Sequence, residues 1–311
     1  MGLIEVAQRK AVIDIGTNSI KFCLAESDGP GSYRVVKDVT EITRLGEGLK
    51  DTGYIRPDVL ERNARPVANF VNEARGAGAD EVVVVGTMAM REAKNTCDFI
   101  KRVEELCGVA PQVLSGEEEG MLSYEAVVAG ISGAANADLI AMDTGGGSTE
   151  FSFGKAGRLV RSFSLNVGSV RFTEDYLAQT PVPGDRLAAA RAAIKAEFAA
   201  GGVAGPADLL VGMGGTVTTM AAVKYGMDKY DPDRVQNSTL TLDDVRSQIA
   251  DYASKSLAQR REIKGLHPKR ADVILAGACI LEAVLELTGM KEFIVSDRSL
   301  RHGLLHQLFN K

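Results

Sequence analysis

The strongest constraint on the fold is a pair of glycine-containing segments that recur at one fixed separation. The segment "VIDIGTNS", from Val12, resembles "AMDTGGGS", which begins at Ala141, 129 residues later. The same shift carries "VGTM", from Val85, onto "GGTV", from Gly214. Two motifs displaced by one constant offset predict the duplication of a domain.

Each half of the chain carries the same order of strand-like and helix-like patterns. The first half has "AVIDIG", "SIKFCLAES" and "YRVVKDVTEI", then a helical pattern around residues 57–75 and the apolar run "EVVVVG". Pro66 is expected to kink or split that helix. The second half has "DLIAMD", "STEFSFG" and "RLVRSFSLNVG", and its longest helical pattern is "HPKRADVILAGACILEAVLELTG". Strand triplets followed by alternating helices and strands predict two α/β domains with a ligand-binding cleft between them.

Composition and charge exclude several classes of protein. The net charge of −5 argues against a general nucleic-acid binder. The sequence lacks an apolar stretch of the roughly 20 residues that cross a bilayer, and its N-terminus lacks the layout of a signal peptide. The four cysteines show no CxxC spacing, so neither a zinc site nor a disulfide is indicated. We expect a cytoplasmic protein with no nucleic-acid or membrane partner.

The glycine turns have a specific chemical interpretation. A tight turn between two strands directs successive backbone N–H groups into one concavity, and glycine lets a large anion approach the main chain. Asp143 and Glu150 flank the second turn and could each hold Mg²⁺, a hard cation that bridges carboxylate and phosphate oxygens. A lone Asp-x-Gly, as at Asp14, is often only a hairpin turn. The repeat favours phosphate binding at both turns, and no P-loop or dinucleotide fingerprint competes with it.

Seven motifs in order resemble one known family. They are "DIGTNSIK", "GTMAMREAKN", "SGEEEG", "MDTGGGSTE", "LNVGSVRFTE", "GMGGT" and "SDRSLRHGLL". Together they resemble the exopolyphosphatase / guanosine pentaphosphate phosphohydrolase (Ppx/GppA) family of the actin-like ATPase superfamily, from about residue 11 to 305. The resemblance implies two duplicated actin-like (ribonuclease H-like) α/β domains flanking an interdomain cleft. We expect an N-terminal domain of residues 1–125, onto which the C-terminal helix 299–311 packs back, and a C-terminal domain of residues 126–298.

The resemblance also implies roles for particular residues. The second glutamate of the family's "SGxEE" pattern falls on Glu119, which would be the base that activates water. Because Glu117, Glu118 and Glu119 are adjacent, the base could be another of the three if the motif register is shifted. Asp143 and Glu150 would hold the metal, with Asp14 as a further candidate. The expected phosphate and substrate contacts are Thr17, Asn18, Ser19, Lys21, Arg91, Gly145, Gly146, Gly147, Ser148, Thr149, Gly214, Gly215 and Arg270.

The activity implied by the resemblance is the release of a terminal phosphate. Family members act on linear polyphosphate or on guanosine pentaphosphate (pppGpp) with Mg²⁺, and Mn²⁺ is an alternative cation. We expect an exopolyphosphatase that uses direct attack by water, with a preference for short chains because the extra C-terminal region of longer members is absent. A pppGpp phosphohydrolase is the alternative, and an actin-like nucleotide-binding protein or kinase is the alternative from another class. The family is also compatible with a homodimer.

Overall fold

The computed structural model describes residues 7–29 and 31–311. Residues 1–6 lie outside the described part of the chain. They belong to the N-terminal segment on which the prediction of a cytoplasmic protein partly depends. Contacts divide the chain into two units. The first comprises the described residues up to Ala126 together with Leu300–Lys311, and the second comprises Val127–Ser299. Within the described ranges no helix combines the length and apolarity needed to cross a membrane.

The first unit is built on a five-stranded sheet with the order β3-β2-β1-β4-β5. Its strands are β1 (Arg9–Ile15), β2 (Ser19–Ser27), β3 (Tyr33–Ile42), β4 (Glu81–Gly86) and β5 (Gln112–Val113). Strands β1, β2 and β3 pair antiparallel in a meander, while β1 pairs β4 in parallel and β4 pairs β5 in parallel. Since parallel neighbours align their carboxyl ends, the ends of β1 and β4 lie at the same edge of this sheet.

Helices cover the sheet of the first unit. They are α1 (Leu49–Thr52), α2 (Pro57–Gly76), α3 (Met88–Glu92), α4 (Thr96–Cys107) and the part of α5 (Gly116–Gly130) that ends at Ala126. Pro66 was expected to kink or split the long helix; it does not split it, because α2 continues as one helix through Pro66. The lost backbone hydrogen bond costs about 3 kcal/mol, which burial of residues such as Val59, Val67 and Val71 on one face can offset.

The C-terminal helix, Leu300–Phe309, packs against β1 and β2 of the first unit. Arg301 donates through Nε and Nη2 to the Asp38 carboxylate of β3, with the shortest bond at 2.8 Å from Nη2. His302 Nε2 lies 3.3 Å from the same carboxylate. Burial alone would raise the pKa of Asp38, but the charge of Arg301 and the hydrogen bond from His302 hold it well below its ordinary range. This ion pair therefore anchors the last helix to the sheet.

The second unit is built on a six-stranded sheet with the order β10-β11-β9-β6-β7-β8. Its strands are β6 (Asp138–Thr144), β7 (Thr149–Lys155), β8 (Arg158–Leu165), β9 (Leu209–Met213), β10 (Thr239–Thr241) and β11 (Glu292–Val295). Strands β6, β7 and β8 form an antiparallel meander, and β6 pairs β9 in parallel.

The helices of the second unit include one that is strongly apolar. They are α6 (Ser169–Phe172), α7 (Gly184–Ala200), α8 (Gly215–Lys224), α9 (Pro232–Val235), α10 (Leu242–Ser254), α11 (Leu257–Arg261) and α12 (Ile274–Thr288). Helix α12 is buried on nearly all sides and contacts α7, α8 and α10. A helix that is hydrophobic all round belongs in the centre of a domain, so α12 forms much of this unit's core.

The two units repeat one plan. The central strands β1 and β6 each have seven residues and begin 129 residues apart, at Arg9 and Asp138. Each is flanked by an antiparallel strand that follows a glycine turn and by a parallel strand that precedes a Gly-Thr dipeptide. The duplication predicted from the sequence is thus present in the strand order.

Candidate active site

The glycine turns of the two units close through the same backbone hydrogen bond. Gly16 N–H donates to Ser19 O in the β1–β2 turn, and Gly145 N–H donates to Ser148 O in the β6–β7 turn, both at 2.9 Å. A Cβ on Gly16 would lie 3.0 Å from Ser19 O, which is tighter than most real contacts. Glycine is therefore favoured at this position by the closeness of the turn itself.

Neighbouring loops hold each turn in place. In the first unit, Asn18 O accepts hydrogen bonds from the amides of Thr43 and Arg44, and Thr17 O accepts one from Gly46. In the second unit, the carbonyls of Gly145 and Gly146 accept hydrogen bonds from the start of α6. The carbonyls of both turns are thus held by backbone hydrogen bonds from neighbouring segments.

The second turn offers backbone donors to an anion. Because Gly145 N–H closes the turn, the donors of interest are Gly146, Gly147 and Ser148. Over residues 7–29 and 31–311, none of these three N–H groups has a hydrogen-bond acceptor. Thr149 is committed elsewhere, since its hydroxyl donates to Val167 O at 2.6 Å. Three successive unpaired amides form the kind of concavity that binds phosphate.

Two carboxylates stand opposite each other beside this turn. Asp143 on β6 and Glu150 on β7 are register partners in an antiparallel pair, so their side chains share one face of the sheet. Both residues are buried. In the first unit, the corresponding partners are Asp14 and Lys21, whose charged atoms lie 3.3 Å apart. The repeat therefore places a second carboxylate where the first unit has a lysine.

This difference fits a divalent cation in the second unit. Like charges directly opposite each other in a sheet are destabilising, and carboxylate oxygens are the ligands preferred by Mg²⁺. In the first unit, the side-chain oxygens Asp14 Oδ1 and Asn18 Oδ1 are buried and have no hydrogen-bond partner among the described residues. Asp143 and Glu150 thus fit a metal better than Asp14 and Lys21 do. Asp14 Oδ1, which has no hydrogen-bond partner among the described residues, is one further oxygen that a cation could bind.

Two serines donate hydrogen bonds to Glu150, and neither contact is predicted from the sequence. Ser148 Oγ and Ser164 Oγ each donate to Glu150 Oε1 at 2.7 Å. Ser148 is predicted to contact phosphate; its hydroxyl donates to the carboxylate of Glu150, while its amide has no acceptor among the described residues. Ser164 lies on β8 directly opposite Glu150. No sequence motif marks Ser164, because its place opposite Glu150 depends on the pairing of β7 with β8 in the folded structure.

The three adjacent glutamates have different environments. Glu118 closes a capping box with Ser115: its carboxylate accepts the Ser115 amide at 2.7 Å, and Ser115 Oγ accepts the Glu118 amide at 3.1 Å. These hydrogen bonds, led by that from the Ser115 backbone, lower the pKa of Glu118. Glu117 is exposed, whereas Glu119 is only 9% exposed. Glu118 therefore has a structural role at the start of α5, and Glu119 is the buried member.

Glu119 lies against Arg91. Arg91 Nη1 donates to Glu119 Oε2 at 2.8 Å and to Leu114 O at 2.9 Å. Arg91 comes from α3, which follows β4, while Glu119 comes from the first turn of α5. The structure thus brings together the residue predicted as the base and the arginine predicted to contact phosphate.

A second group of predicted residues meets at the start of α8. Gly214 precedes this helix with φ of 91°, a left-handed value that glycine tolerates. The guanidinium of Arg270 lies against Gly215, where a Cβ would come within 2.1 Å of Nη1. Arg270 makes no side-chain hydrogen bond or ion pair with the described part of the chain, and burial lowers its pKa. An unpaired guanidinium beside the N-terminus of a helix is well placed for an anion.

Comparisons with known proteins identify relatives over nearly the whole chain. A model of the Ppx/GppA phosphatase family matches residues 23–311. Exopolyphosphatase 2 of Mycobacterium tuberculosis is 30% identical over 311 residues, which covers 95% of this chain and 97% of that protein. The bifunctional 3-dehydroquinate synthase/phosphatase of Fusobacterium nucleatum is 28% identical, and the chain spans only 47% of that relative's length.

Solved structures agree with this likeness. The crystal structure of the Aquifex aeolicus member of the Ppx/GppA family matches with a TM-score of 0.83 at 31% identity, covering 97% of this chain and 98% of that one. The predicted α/β fold with two duplicated domains is confirmed by the strand order and by this match. The chain therefore belongs to the Ppx/GppA phosphatase family, and it is an enzyme of the phosphoanhydride hydrolase class.

Proposed function

We propose that the chain is an exopolyphosphatase, which releases terminal orthophosphate from inorganic polyphosphate with Mg²⁺ or Mn²⁺. The observation that carries this proposal is the buried pair Asp143 and Glu150 beside a turn with three unpaired amides. That arrangement suits a divalent cation together with phosphate oxygens. The likeness to exopolyphosphatase 2 of Mycobacterium tuberculosis supports polyphosphate as the substrate.

The residues have distinct roles in this proposal. The amides of Gly146, Gly147 and Ser148 bind oxygens of the terminal phosphate, and Asp143 with Glu150 holds the metal. A bound divalent cation supplies positive charge that offsets the charge of the phosphate oxygens. Hydrolysis of a phosphoanhydride depends on positioning and electrostatic stabilisation more than on covalent chemistry. We therefore propose direct attack by water.

Charge on the substrate is met by arginines and by the start of α8. Arg270 lies beside the N-terminal amides of that helix, and both attract anions. Arg91, which now binds Glu119, is proposed to contact phosphate as well. Such a local concentration of positive charge allows a protein with a net charge of −5 to hold a polyanion.

Glu119 is proposed as the general base. Its carboxylate is buried and fixed by Arg91, whereas the carboxylate of Glu118 is occupied by the Ser115 amide. A base must be held at a defined position to take a proton from water, and such catalysis contributes about 10²–10⁴-fold to a rate. Of the three neighbouring glutamates, Glu119 meets this requirement best.

The test compares two isosteric substitutions. Phosphate release from polyphosphate with Mg²⁺ is measured for the wild type, Glu119→Gln and the matched control Glu118→Gln. We expect kcat to fall by about 10²–10⁴-fold for Glu119→Gln. The control should stay within about twofold, because glutamine also closes a capping box.

Two results would count against the proposal. Retention of wild-type kcat by Glu119→Gln would remove the base assignment. A wild-type enzyme that hydrolyses pppGpp but not polyphosphate of any length would overturn the substrate. Parallel assays with short polyphosphate, long polyphosphate and pppGpp therefore belong in the same experiment.

A further inference from the structure

The two serine contacts of Glu150 fall on one atom of its carboxylate. Ser148 Oγ and Ser164 Oγ both donate to Oε1, each at 2.7 Å. Two hydroxyl donors on a single oxygen fix the plane of the carboxylate, because rotation about its terminal bond would break both contacts. The carboxylate's second oxygen is thereby held in one direction.

The two donors come from different parts of the second unit. Ser148 belongs to the glycine turn, and Ser164 belongs to β8, where it is the register partner of Glu150. Glu150 itself is 2% exposed, so water does not compete freely for its oxygens. A carboxylate oxygen held by two donors from separate segments is preorganised, whereas a carboxylate with a single partner could rotate about it.

We propose that Ser164 is a positioning residue that orients Glu150 for binding a divalent cation, an inference that rests on the proposed function. Hydrogen bonds to metal-binding carboxylates fix their orientation, and loss of such a partner typically weakens metal affinity by about 10–100-fold. Ser164 does not contact substrate in this proposal. Its effect passes through the carboxylate of Glu150.

The chain contains a matched control on the same strand. Ser162 lies two residues before Ser164, so its side chain is on the same face of β8. Its hydroxyl is 3.1 Å from that of Ser152, and the two residues are register partners. Substitution of Ser162 therefore removes a serine hydroxyl from the same surface without removing a contact to Glu150.

The experiment measures metal binding without substrate. Mn²⁺ is titrated into each purified protein, and the free ion is quantified by its electron paramagnetic resonance signal. We expect Ser164→Ala to raise the Mn²⁺ Kd by about tenfold or more, and Ser162→Ala to leave it within about twofold. Circular dichroism and thermal unfolding report whether each variant is folded.

A second pair of variants separates the hydroxyl from the shape of the side chain. Ser164→Thr keeps a hydroxyl. Ser164→Val introduces a side chain of nearly the same shape as threonine but without the hydroxyl. We expect the threonine variant to bind Mn²⁺ at least fivefold more tightly than the valine variant. This comparison remains decisive even if alanine destabilises the strand, since threonine and valine both favour strands.

The outcomes distinguish this inference from the function on which it rests. Suppose that the wild type hydrolyses polyphosphate and binds Mn²⁺, and that Ser164→Ala and Ser164→Val each bind Mn²⁺ as tightly as the wild type does. The positioning role of Ser164 is then overturned, while the proposed function stands. An equal loss of affinity in Ser162→Ala would also overturn the positioning role. If the wild type neither releases phosphate nor binds Mn²⁺, the proposed function fails, and the inference fails with it.

Discussion

Substitution of Gly215 by alanine tests whether the position of Arg270 matters. The added Cβ would lie 2.1 Å from Arg270 Nη1 and 2.4 Å from Cζ, whereas ordinary contacts begin at 3.4 Å. The guanidinium must therefore move by about 1.3 Å or more. The atoms nearest to this Cβ all belong to the flexible end of the Arg270 side chain, so we expect the side chain to move rather than the backbone.

This movement should separate activity from stability. A displacement of about 1 Å in a positioning group can lower activity by about 10²-fold. We therefore expect kcat/KM for polyphosphate to fall by about two orders of magnitude, which corresponds to about 2.7 kcal/mol of transition-state stabilisation. The free energy of unfolding should be unchanged or higher by about 0.4–1 kcal/mol, because alanine replaces glycine in a helix without a positive φ.

Gly184 provides the control for this experiment. It is the first residue of α7, as Gly215 is of α8, and a Cβ there would meet nothing within 4 Å. Phosphate release gives kcat/KM, and urea denaturation gives stability, for the wild type and both variants. Unchanged kcat/KM in Gly215→Ala, together with wild-type stability, would refute the assignment of Arg270. Loss of stability instead would show that the backbone absorbs the clash.

Three further predictions concern other parts of the chain. Asp38→Asn should destabilise the protein by about 2 kcal/mol at pH 7, because Arg301 then lacks its carboxylate. Since the pKa of Asp38 is depressed in the folded state, this difference should be present above about pH 4 and should shrink as the pH falls further; denaturation at several pH values measures it. Burial raises the pKa of Cys279 to about 12, so its thiol should be unreactive in the folded protein. Iodoacetamide at pH 8 should therefore label the exposed Cys97 and label Cys279 only after unfolding. Peptide mass spectrometry measures the labelling of each cysteine. Gly168→Ala should cost about 1–3 kcal/mol and lower phosphate release, because its Cβ would lie 2.4 Å from backbone atoms of the glycine turn; an unchanged unfolding midpoint would contradict this.

The sequence predicted the repeated plan with good accuracy. The offset read from the two glycine turns is the offset between the starts of β1 and β6. Such agreement arises because apolar runs and tight turns are local features of the chain. That α2 continues as one helix through Pro66 could not be predicted locally, since packing of one helix face depends on contacts that the local sequence does not contain.

The roles of the three glutamates show where local reasoning reached its limit. The pattern of Ser115 and Glu118 is a capping signature that a sequence can reveal. The contact between Glu119 and Arg91 joins residues 28 positions apart, and it requires α3 and α5 to be placed beside each other. Motif register selected Glu119, but only the fold supplied its burial and its partner.

By itself the sequence determined the duplicated α/β plan, the glycine turns and the carboxylates beside them, because these depend on apolar periodicity and turn chemistry. The tertiary structure alone decided which residue faces Glu150. Lys155 and Arg158 flank the β7–β8 turn as register partners, and extending their register would pair Glu150 with Phe163. A bulge between Phe153 and Gly154 shifts the pairing by one residue and brings Ser164 opposite instead. Because a shift of one residue reverses which side chains share a face, this irregularity in strand pairing places a hydroxyl, and not an aromatic ring, against the carboxylate.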